Sequence, residues 1–371
     1  MHLSSLGWDD FFSGHFAPFA SDLAGFMPAR VALEHKHAYA LLAAHGEVTA
    51  TCTGKLRHDA TARADLPAVG DWVVVRPRPG EAHADIHAVL PRKTKFSRQA
   101  AGDGTEQIVA ANIDTVFLVT ALDADFNLRR IERYLAVAWA SGAQPVVLLN
   151  KSDLHADPAA ARATVEAVAG GAPVLVLSAT HDTDLSAALA PWLAPGRTVA
   201  LLGSSGVGKS TLINRLLGAE RQLTSPTSAA HGKGRHTTTH RELLVAPSGA
   251  LVIDTPGMRE LQLWEVAAAT LEETFADIAA LAARCRFSNC AHRAEPGCTI
   301  QAALDAGALD LGRWSSFQKL QREQAYAARK SDPRLERETK AAWKKVKIPG
   351  ASPGAFDKTA ANSSDHNAIR A

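Results

Sequence analysis

Residues 203–211, Gly-Ser-Ser-Gly-Val-Gly-Lys-Ser-Thr, stand between an apolar run, Val199–Leu202, and a stretch, Leu212–Leu217, whose apolar spacing is helical. Strand, glycine-rich loop and helix in that order form the context in which G-x-x-x-x-G-K-[ST] holds phosphates. Gly203, Gly206 and Gly208 let the backbone turn tightly, so that successive N–H groups point inward. Ser204, Ser205, Val207 and Thr211 complete the cradle. Lys209 brings a positive charge to the β- and γ-phosphates and is a candidate catalytic group. Ser210 offers its hydroxyl to Mg²⁺, and the helix starting here aims its positive end at the anion. A chance Gly/Ser-rich turn is the bland alternative, and the flanking strand and helix argue against it.

Strands and helices alternate ahead of this loop: strands at 114–120, 145–149 and 174–177, helices at 129–140 and 159–169. That pattern predicts a parallel sheet covered by helices, with ligands at the carboxyl ends of its strands. Two strand ends carry base-reading chemistry. Asn150-Lys-Ser-Asp153 has the N-K-x-D pattern. A carboxylate at Asp153 accepts from the N1–H and the 2-amino group of guanine, a donor pair that adenine lacks. Asn150 ties this loop to the phosphate loop, and the stem of Lys151 covers the base. In Ser178-Ala-Thr180 the Ala179 N–H is expected to donate to guanine O6 while Ser178 steadies the loop. Simple helix capping would explain N-K-S-D alone; the two motifs together favour guanine.

Downstream, residues 224–240 are rich in Ser, Thr, Gly and His and read as a switch loop. Thr239, with Thr238 next, is expected to reach Mg²⁺ when a γ-phosphate is present. The strand 250–253 runs into Asp254-Thr-Pro-Gly257, where Asp254 holds the metal through water and the Gly257 N–H senses the γ-phosphate. Met258 then stands where a glutamine would orient the attacking water in Ras-like enzymes. A thioether cannot do that, so slow intrinsic hydrolysis is expected, with the water guided by His236 or by a group from a partner. The base-reading motifs precede the phosphate loop, the reverse of the ordinary GTPase order, so the domain reads as circularly permuted.

At 371 residues the chain is too long for one ordinary core. A net charge of +2 announces no nucleic-acid binder by itself, so such a role has to come from local patches. Residues 1–27 carry Trp8, Phe11, Phe12, Phe16, Phe19 and Phe26, read as a packed extension or a docking arm. Five short strands within 28–98 suit a small barrel of the oligonucleotide-binding type. After them, Pro91-Arg-Lys-Thr-Lys-Phe-Ser-Arg98 interleaves four basic groups with one aromatic, a pattern open to RNA contact or to a solvated linker. No apolar run is long enough to span a bilayer, and the first residues do not read as a signal peptide.

Three of the four cysteines crowd into Cys285-x₄-Cys290-x-His292-x₅-Cys298. Three thiolates and an imidazole make a closed tetrahedral set for one structural Zn²⁺, and their clustering suits a reducing, cytoplasmic setting. Three reduced thiols in a helical hairpin are the alternative. Helical patterns follow at 300–306 and 314–328. The segment 329–347 is strongly basic, able to lie along phosphates or simply to be solvated. The last twenty residues read as disordered.

The combination resembles the ribosome small-subunit-dependent GTPase A family, the RsgA/YjeQ-like circularly permuted GTPases. The likeness rests on the permuted order, Gly234-Arg-His-Thr-Thr-Thr239, Asp254-Thr-Pro-Gly257, the Cys/His set with Glu295-Pro-Gly-Cys298, Pro67-Ala-Val-Gly-Asp-Trp72 and Asn127-Leu-Arg-Arg-Ile-Glu-Arg-Tyr134. It spans roughly residues 28–330. Met258 departs from it, since relatives carry another apolar residue there. The resemblance implies a multidomain chain: an N-terminal OB-fold β-barrel that binds RNA, a permuted P-loop α/β GTPase domain and a C-terminal helical zinc-binding domain. The expected division is an extension at 1–27, barrel at 28–98, GTPase at 108–268, zinc domain at 270–347 and tail at 348–371. It further implies late maturation of the small ribosomal subunit, contact with its rRNA, and hydrolysis of GTP to GDP and phosphate stimulated by that subunit. A monomer is expected, with no membrane partner. An RNA-binding scaffold that keeps GTP as a structural ligand is the alternative, and a P-loop small-molecule kinase is a further rival.

Overall fold

After an N-terminal helix, α1 (Asp10–Asp22), five strands close on themselves: β1 (Met27–Glu34), β2 (Tyr39–Ala43), β3 (Gly46–Cys52), β4 (Trp72–Pro77) and β5 (His83–Val89). β1, β2 and β3 form an antiparallel meander, β5 joins β3 in parallel, and β4 pairs with both β5 and β1 to complete an OB-like barrel. The period-2 pattern accounts for its interior, where Val31, Leu41, Ala50, Val73, Val75 and Ile86 are buried together. A short helix not anticipated from the sequence, α2 (Gly54–Asp59), follows β3; the Thr53 hydroxyl caps it by accepting from the Leu56 N–H at 3.2 Å. In a computed structural model of the chain the described residues are 2–22, 25–36, 38–99, 106–218, 241–254, 271–272, 274–293 and 295–331.

Of the N-terminal aromatics, Phe12 is buried, Trp8, Phe16, Phe19 and Phe26 pack against the core, and Phe11 is exposed. Helix α1 and the turn before it bring Trp8 and Phe12 to the fully buried Trp72, with ring centroids 4.7 and 5.8 Å away. Beneath them lies Arg30, 1% exposed, donating to the carbonyls of Leu6 (2.5 Å), Gly70 (3.2 Å) and Asn112 (2.9 Å). One guanidinium thus joins the N-terminal turn, the barrel and the entry to the next sheet. Burial pushes its pKa down to about 10 against the opposing pull of Asp114 and Asp71.

In the basic segment after β5 the cations Arg92, Lys93 and Lys95 are held in ion pairs, with Lys93 and Lys95 exposed to solvent. Arg92 forms a bidentate pair with the buried Asp71 at 2.8 and 2.7 Å and also donates to the carbonyls of Ala64 and Leu66. Lys93 pairs with Asp9, and Lys95 with Glu106 at 2.9 Å. Phe96, the interleaved aromatic, is 1% exposed. The segment continues into β6 (Lys95–Gln99), which pairs with β7 (Glu106–Ala111), a two-stranded unit also not anticipated from the sequence.

The second sheet holds β8 (Thr115–Ala121), β9 (Gln144–Asn150), β10 (Val174–Val176), β11 (Thr198–Leu202), β12 (Glu242–Val245) and β13 (Leu251–Asp254). Its spatial order is β10-β9-β8-β11-β13-β12, parallel except for β12. The chain leaves at the β10 edge and re-enters beside β8 with β11. Successive residues of β8 serve opposite faces: Val116 and Leu118 pack with helix α3 (Leu128–Ser141), Phe117 and Val119 with α6 (Lys209–Leu217). Burial on both faces explains the unbroken apolar runs. Helices α4 (Pro158–Glu166) and α5 (Leu185–Leu189) fill the remaining crossovers. The strand β12, not anticipated, pairs Glu242 with Leu33 of β1, so barrel and sheet share one hydrogen-bonded set of eleven strands.

Among the described residues that follow are the helices α7 (Ala276–Ala282), α8 (Thr299–Asp305) and α9 (Leu311–Ser331). Phe275, Trp314 and Phe317 form their shared core, with Phe317 centred 5.4 Å from Phe275 and 5.7 Å from Trp314. Residues 1–324 form one body, and of 325–371 only 325–331 are described. No helix among the described residues is long and apolar enough to cross a membrane.

Candidate nucleotide site and Cys/His centre

The phosphate-loop motif lies where β11 ends and α6 begins, at the carboxyl edge of the sheet. Two of its glycines are demanded by geometry. A Cβ on Gly203 would lie 2.2 Å from the Val119 carbonyl, and one on Gly208, whose φ is +99°, 2.2 Å from Asn150 Nδ2. Ser205 and Gly206 are exposed at the tip, whereas Val207 is buried beneath them. Lys209 Nζ donates to the carbonyls of Gly203 (2.7 Å) and Ser204 (2.5 Å), which draws the ammonium over the loop. Ser210 and Thr211 occupy the first turn of α6.

Asn150 closes β9 almost fully buried and ties three loops together. Its Nδ2 donates to the Val207 carbonyl at 2.7 Å, as expected for a tie to the phosphate loop. Its Oδ1 accepts the Ala179 N–H at 2.8 Å. The amide expected to face guanine O6 is thus engaged by Asn150 in this structure. Ser178 Oγ donates to Asp153 Oδ1 at 2.5 Å, and that hydrogen bond, ahead of His181 nearby, holds the Asp153 carboxyl below its usual value. Lys151, at φ +61°, extends its ammonium to Asp123 Oδ2 at 2.8 Å.

Asp254 ends β13, 9% exposed. Since β11 and β13 are hydrogen-bonded neighbours, Asp254 and Ser210 leave the same end of the sheet, a placement that fits two ligands of a phosphate-bound Mg²⁺. His236, Thr238, Thr239, Gly257 and Met258 lie outside the described residues.

Sequence reasoning missed several groups. Arg130 Nη1 donates to Ser204 Oγ at 2.6 Å and to Asp125 Oδ2 at 2.5 Å. Arg215 of α6 donates to the carbonyls of Ala179 and Asp182, steadying the base loop from behind. Arg130 belongs to the Asn127–Tyr134 stretch already singled out by likeness, but nothing in its spacing pointed to Ser204. A cavity of about 630 Å³ bordered by Asp9, Arg30, Asp114 and Thr198 has no phosphate-loop residue on its wall.

The four expected metal ligands do converge. One ligand atom each from Cys285, Cys290, His292 and Cys298 all lie within 4.8 Å of one another. Sulfurs around a tetrahedral Zn²⁺, each about 2.3 Å from it, stand about 3.8 Å apart, so the set fits that ion. His292, at φ +57°, turns Nδ1 toward Cys285 Sγ (3.5 Å) and Cys298 Sγ (3.6 Å). Glu295 shapes the knuckle by accepting the N–H groups of Ala291 and Arg293. Thr299, with its Oγ1 3.2 Å from Cys285 Sγ, and the backbone N–H of Ile300 hold that thiol down toward the thiolate a metal needs.

The chain is similar to known proteins along most of its length. The family model described as RsgA GTPase matches residues 89–264. The small ribosomal subunit biogenesis GTPase RsgA of Opitutus terrae is 65% identical over 93% of this chain and 96% of its own length. Its counterpart from Syntrophotalea carbinolica is 48% identical over 90% and 92%. The crystal structure of YjeQ from Thermotoga maritima covers 81% of this chain and 98% of that one, with a TM-score of 0.58 and 25% identity. YloQ, described as a circularly permuted GTPase, shares the fold at a TM-score of 0.57 and 23% identity, over 82% and 96% of the two chains. A permuted guanine-nucleotide sheet set between barrel and Cys/His segment, with identity this high over nearly the whole length, makes the chain a GTP hydrolase of the RsgA GTPase family.

Proposed function

We propose that this GTPase acts in the biogenesis of the small ribosomal subunit in the cytoplasm, as a monomer, hydrolysing GTP to GDP and phosphate with stimulation by that subunit. The observation that carries the reading is the near full-length identity to relatives named as small ribosomal subunit biogenesis GTPases. In this reading Asp153 accepts from the guanine edge, Asn150 and Ser178 hold the reading loops, Ala179 lines the base pocket and Lys151 covers the base. Residues 203–211 cradle the phosphates, and the backbone donors and Lys209 stabilise charge that develops on them. Ser210, Asp254 and Thr239 would hold Mg²⁺, which supplies further charge neutralisation at the phosphates. Gly257 senses the γ-phosphate. The attacking water is guided by His236 or by a group from the subunit, since Met258 cannot orient it.

Barrel and Cys/His segment, the latter carrying one structural Zn²⁺, flank the GTPase sheet and serve as the surfaces that meet the subunit and its rRNA. The test is steady-state GTP hydrolysis with small subunits, with large subunits and alone. A partner that completes a catalytic constellation is worth on the order of 10³–10⁵ in rate, so a rise of at least about tenfold specific to small subunits is expected. Equal rates in all three would reject the reading and favour the scaffold that keeps GTP as a ligand.

A further inference from the structure

Helix α3 begins after Asn127, whose Oδ1 accepts the Arg130 N–H at 3.1 Å. Its first two turns carry Arg129, Arg130, Glu132 and Arg133, and these side chains leave in two directions. Arg130 reaches the phosphate loop, with Nη1 2.6 Å from Ser204 Oγ; the carbonyl of the same serine accepts from Lys209. Asp125 braces Arg130 from below and raises its pKa further.

The other direction leads to the C-terminal helices. Glu132 is fully buried, and its Oε1 accepts from Arg129 Nη1 at 2.7 Å and from Arg313 Nη1 at 2.5 Å. Its Oε2 has no hydrogen-bond partner among the described residues. Arg313 also grips both oxygens of Asp277 on α7, at 2.8 and 2.7 Å, and lies over the Phe275 ring at 4.8 Å. Arg129 pairs with Asp310, and Arg133 with Glu323 at 2.8 Å. Next to Arg313 in sequence, Trp314 sets its ring edge-on to His292 of the Cys/His set, 5.8 Å between centroids. An unbroken line of contacts therefore runs from His292 through Trp314, Arg313 and Glu132 into α3, and out through Arg130 to Ser204.

Two properties make this line a lever. A buried carboxylate cannot lose a guanidinium partner cheaply, so the position of Arg313 dictates that of Glu132. Residues 130 and 132 share one helical turn, so a shift imposed on one is felt at the other. We propose that the first turn of α3 links the Cys/His segment to the phosphate loop, with Arg130 as the positioning residue that sets Ser204 and the backbone bearing Lys209. The link rests on the phosphate-loop assignment above.

A double-mutant cycle on the full chain tests the link, because residues 130 and 313 touch different partners and energetic coupling between them needs the helix. Affinity for a fluorescent GTP analogue and kcat are measured separately for Arg130→Met, Arg130→Lys, Arg313→Met and the Arg130→Met/Arg313→Met double variant. Loss of a charged hydrogen bond predicts about tenfold weaker binding for Arg130→Met, with Arg130→Lys recovering most of it. Arg313→Met weakens binding when Arg130 is present and adds nothing once Arg130 is gone. Additive effects, or an Arg130→Met variant that binds like the parent, overturn the link. Should Arg313→Met lose helical content by circular dichroism, Asp277→Asn loosens Arg313 without stranding Glu132 and carries the same cycle. Lys209→Ala serves as the control: if it binds GTP as tightly as the parent, the phosphate-loop assignment falls and the link with it. If it fails to bind while the cycle is additive, the link alone falls.

Discussion

The Asn150 side chain donates to the Val207 carbonyl and accepts from the Ala179 amide, so the base-reading loops and the phosphate loop meet on one buried amide. Opposite it, Gly208 leaves no space for a methyl group. The N-K-S-D loop and the glycine-rich loop are thus held in register by a hydrogen bond between residues 57 positions apart in the chain, with the N-K-S-D member first, as the permuted order requires.

Gly208→Ala places a Cβ against Asn150 Nδ2 at a backbone φ of +99°. Strain of about 1–3 kcal/mol is expected at such a position, which corresponds to roughly 5- to 150-fold weaker GTP binding. Equilibrium titration of the variant measures it, and unchanged affinity would mean that the loop is free to move away from Asn150.

Asp153→Asn should move preference from guanine toward xanthine nucleotides, because an amide donates to a carbonyl at the 2-position of the base. The Ser178 hydroxyl can still donate to the new amide oxygen in place of the carboxylate, so the loop should keep its shape. Two charge-assisted hydrogen bonds are lost to GTP, on the order of a 10²-fold loss. In the parent, Ser178 keeps the Asp153 carboxyl below its ordinary 3.8. A carboxyl depressed in the fold contributes above its ordinary pKa and fades only as pH falls through the lower folded value, so guanine preference should hold from about pH 8 down to about pH 5. Competition between GTP and XTP across that range checks both points.

Arg30→Met removes the donor shared by the carbonyls of Leu6, Gly70 and Asn112 while keeping most of the apolar stem. The Gly70 carbonyl keeps the Asn112 Nδ2 donor, so two buried carbonyls are left stranded, at about 1–3 kcal/mol each. Urea denaturation should show a loss of that size. A change below about 1 kcal/mol would mean that water replaces the guanidinium.

One Zn²⁺ per chain is expected on Cys285, Cys290, His292 and Cys298, and Cys290→Ala should lower that content sharply. Metal analysis of protein purified in reducing buffer reads the stoichiometry. Zinc retained in full by the variant would place the ion elsewhere.

Much of this protein was legible in the chain. The phosphate loop, N-K-S-D, Asp254 and the Cys/His set are short local patterns whose chemistry depends on spacing within a few residues, and their order alone revealed the permutation. Strands β8, β9 and β11 announced themselves because burial on both faces demands continuous apolar runs. What stayed hidden was pairing at long range. Pro91–Arg98 looked like a basic surface, yet Arg92, Lys93 and Lys95 are neutralised by Asp71, Asp9 and Glu106, and its aromatic is interior. Composition cannot distinguish an arginine facing solvent from one facing a buried carboxylate. Likewise the hydrogen bond from the Ala179 amide to Asn150 was not visible in the chain, and Arg130 and Glu132 looked like neighbouring charges on one helix. The sequence determined which groups are present and in what order. Only the tertiary structure decided which of them meet, because a hydrogen bond or an ion pair is set by proximity in space. Here sheet order and helix packing bring together partners as far apart in the chain as Arg133 and Glu323, 190 residues.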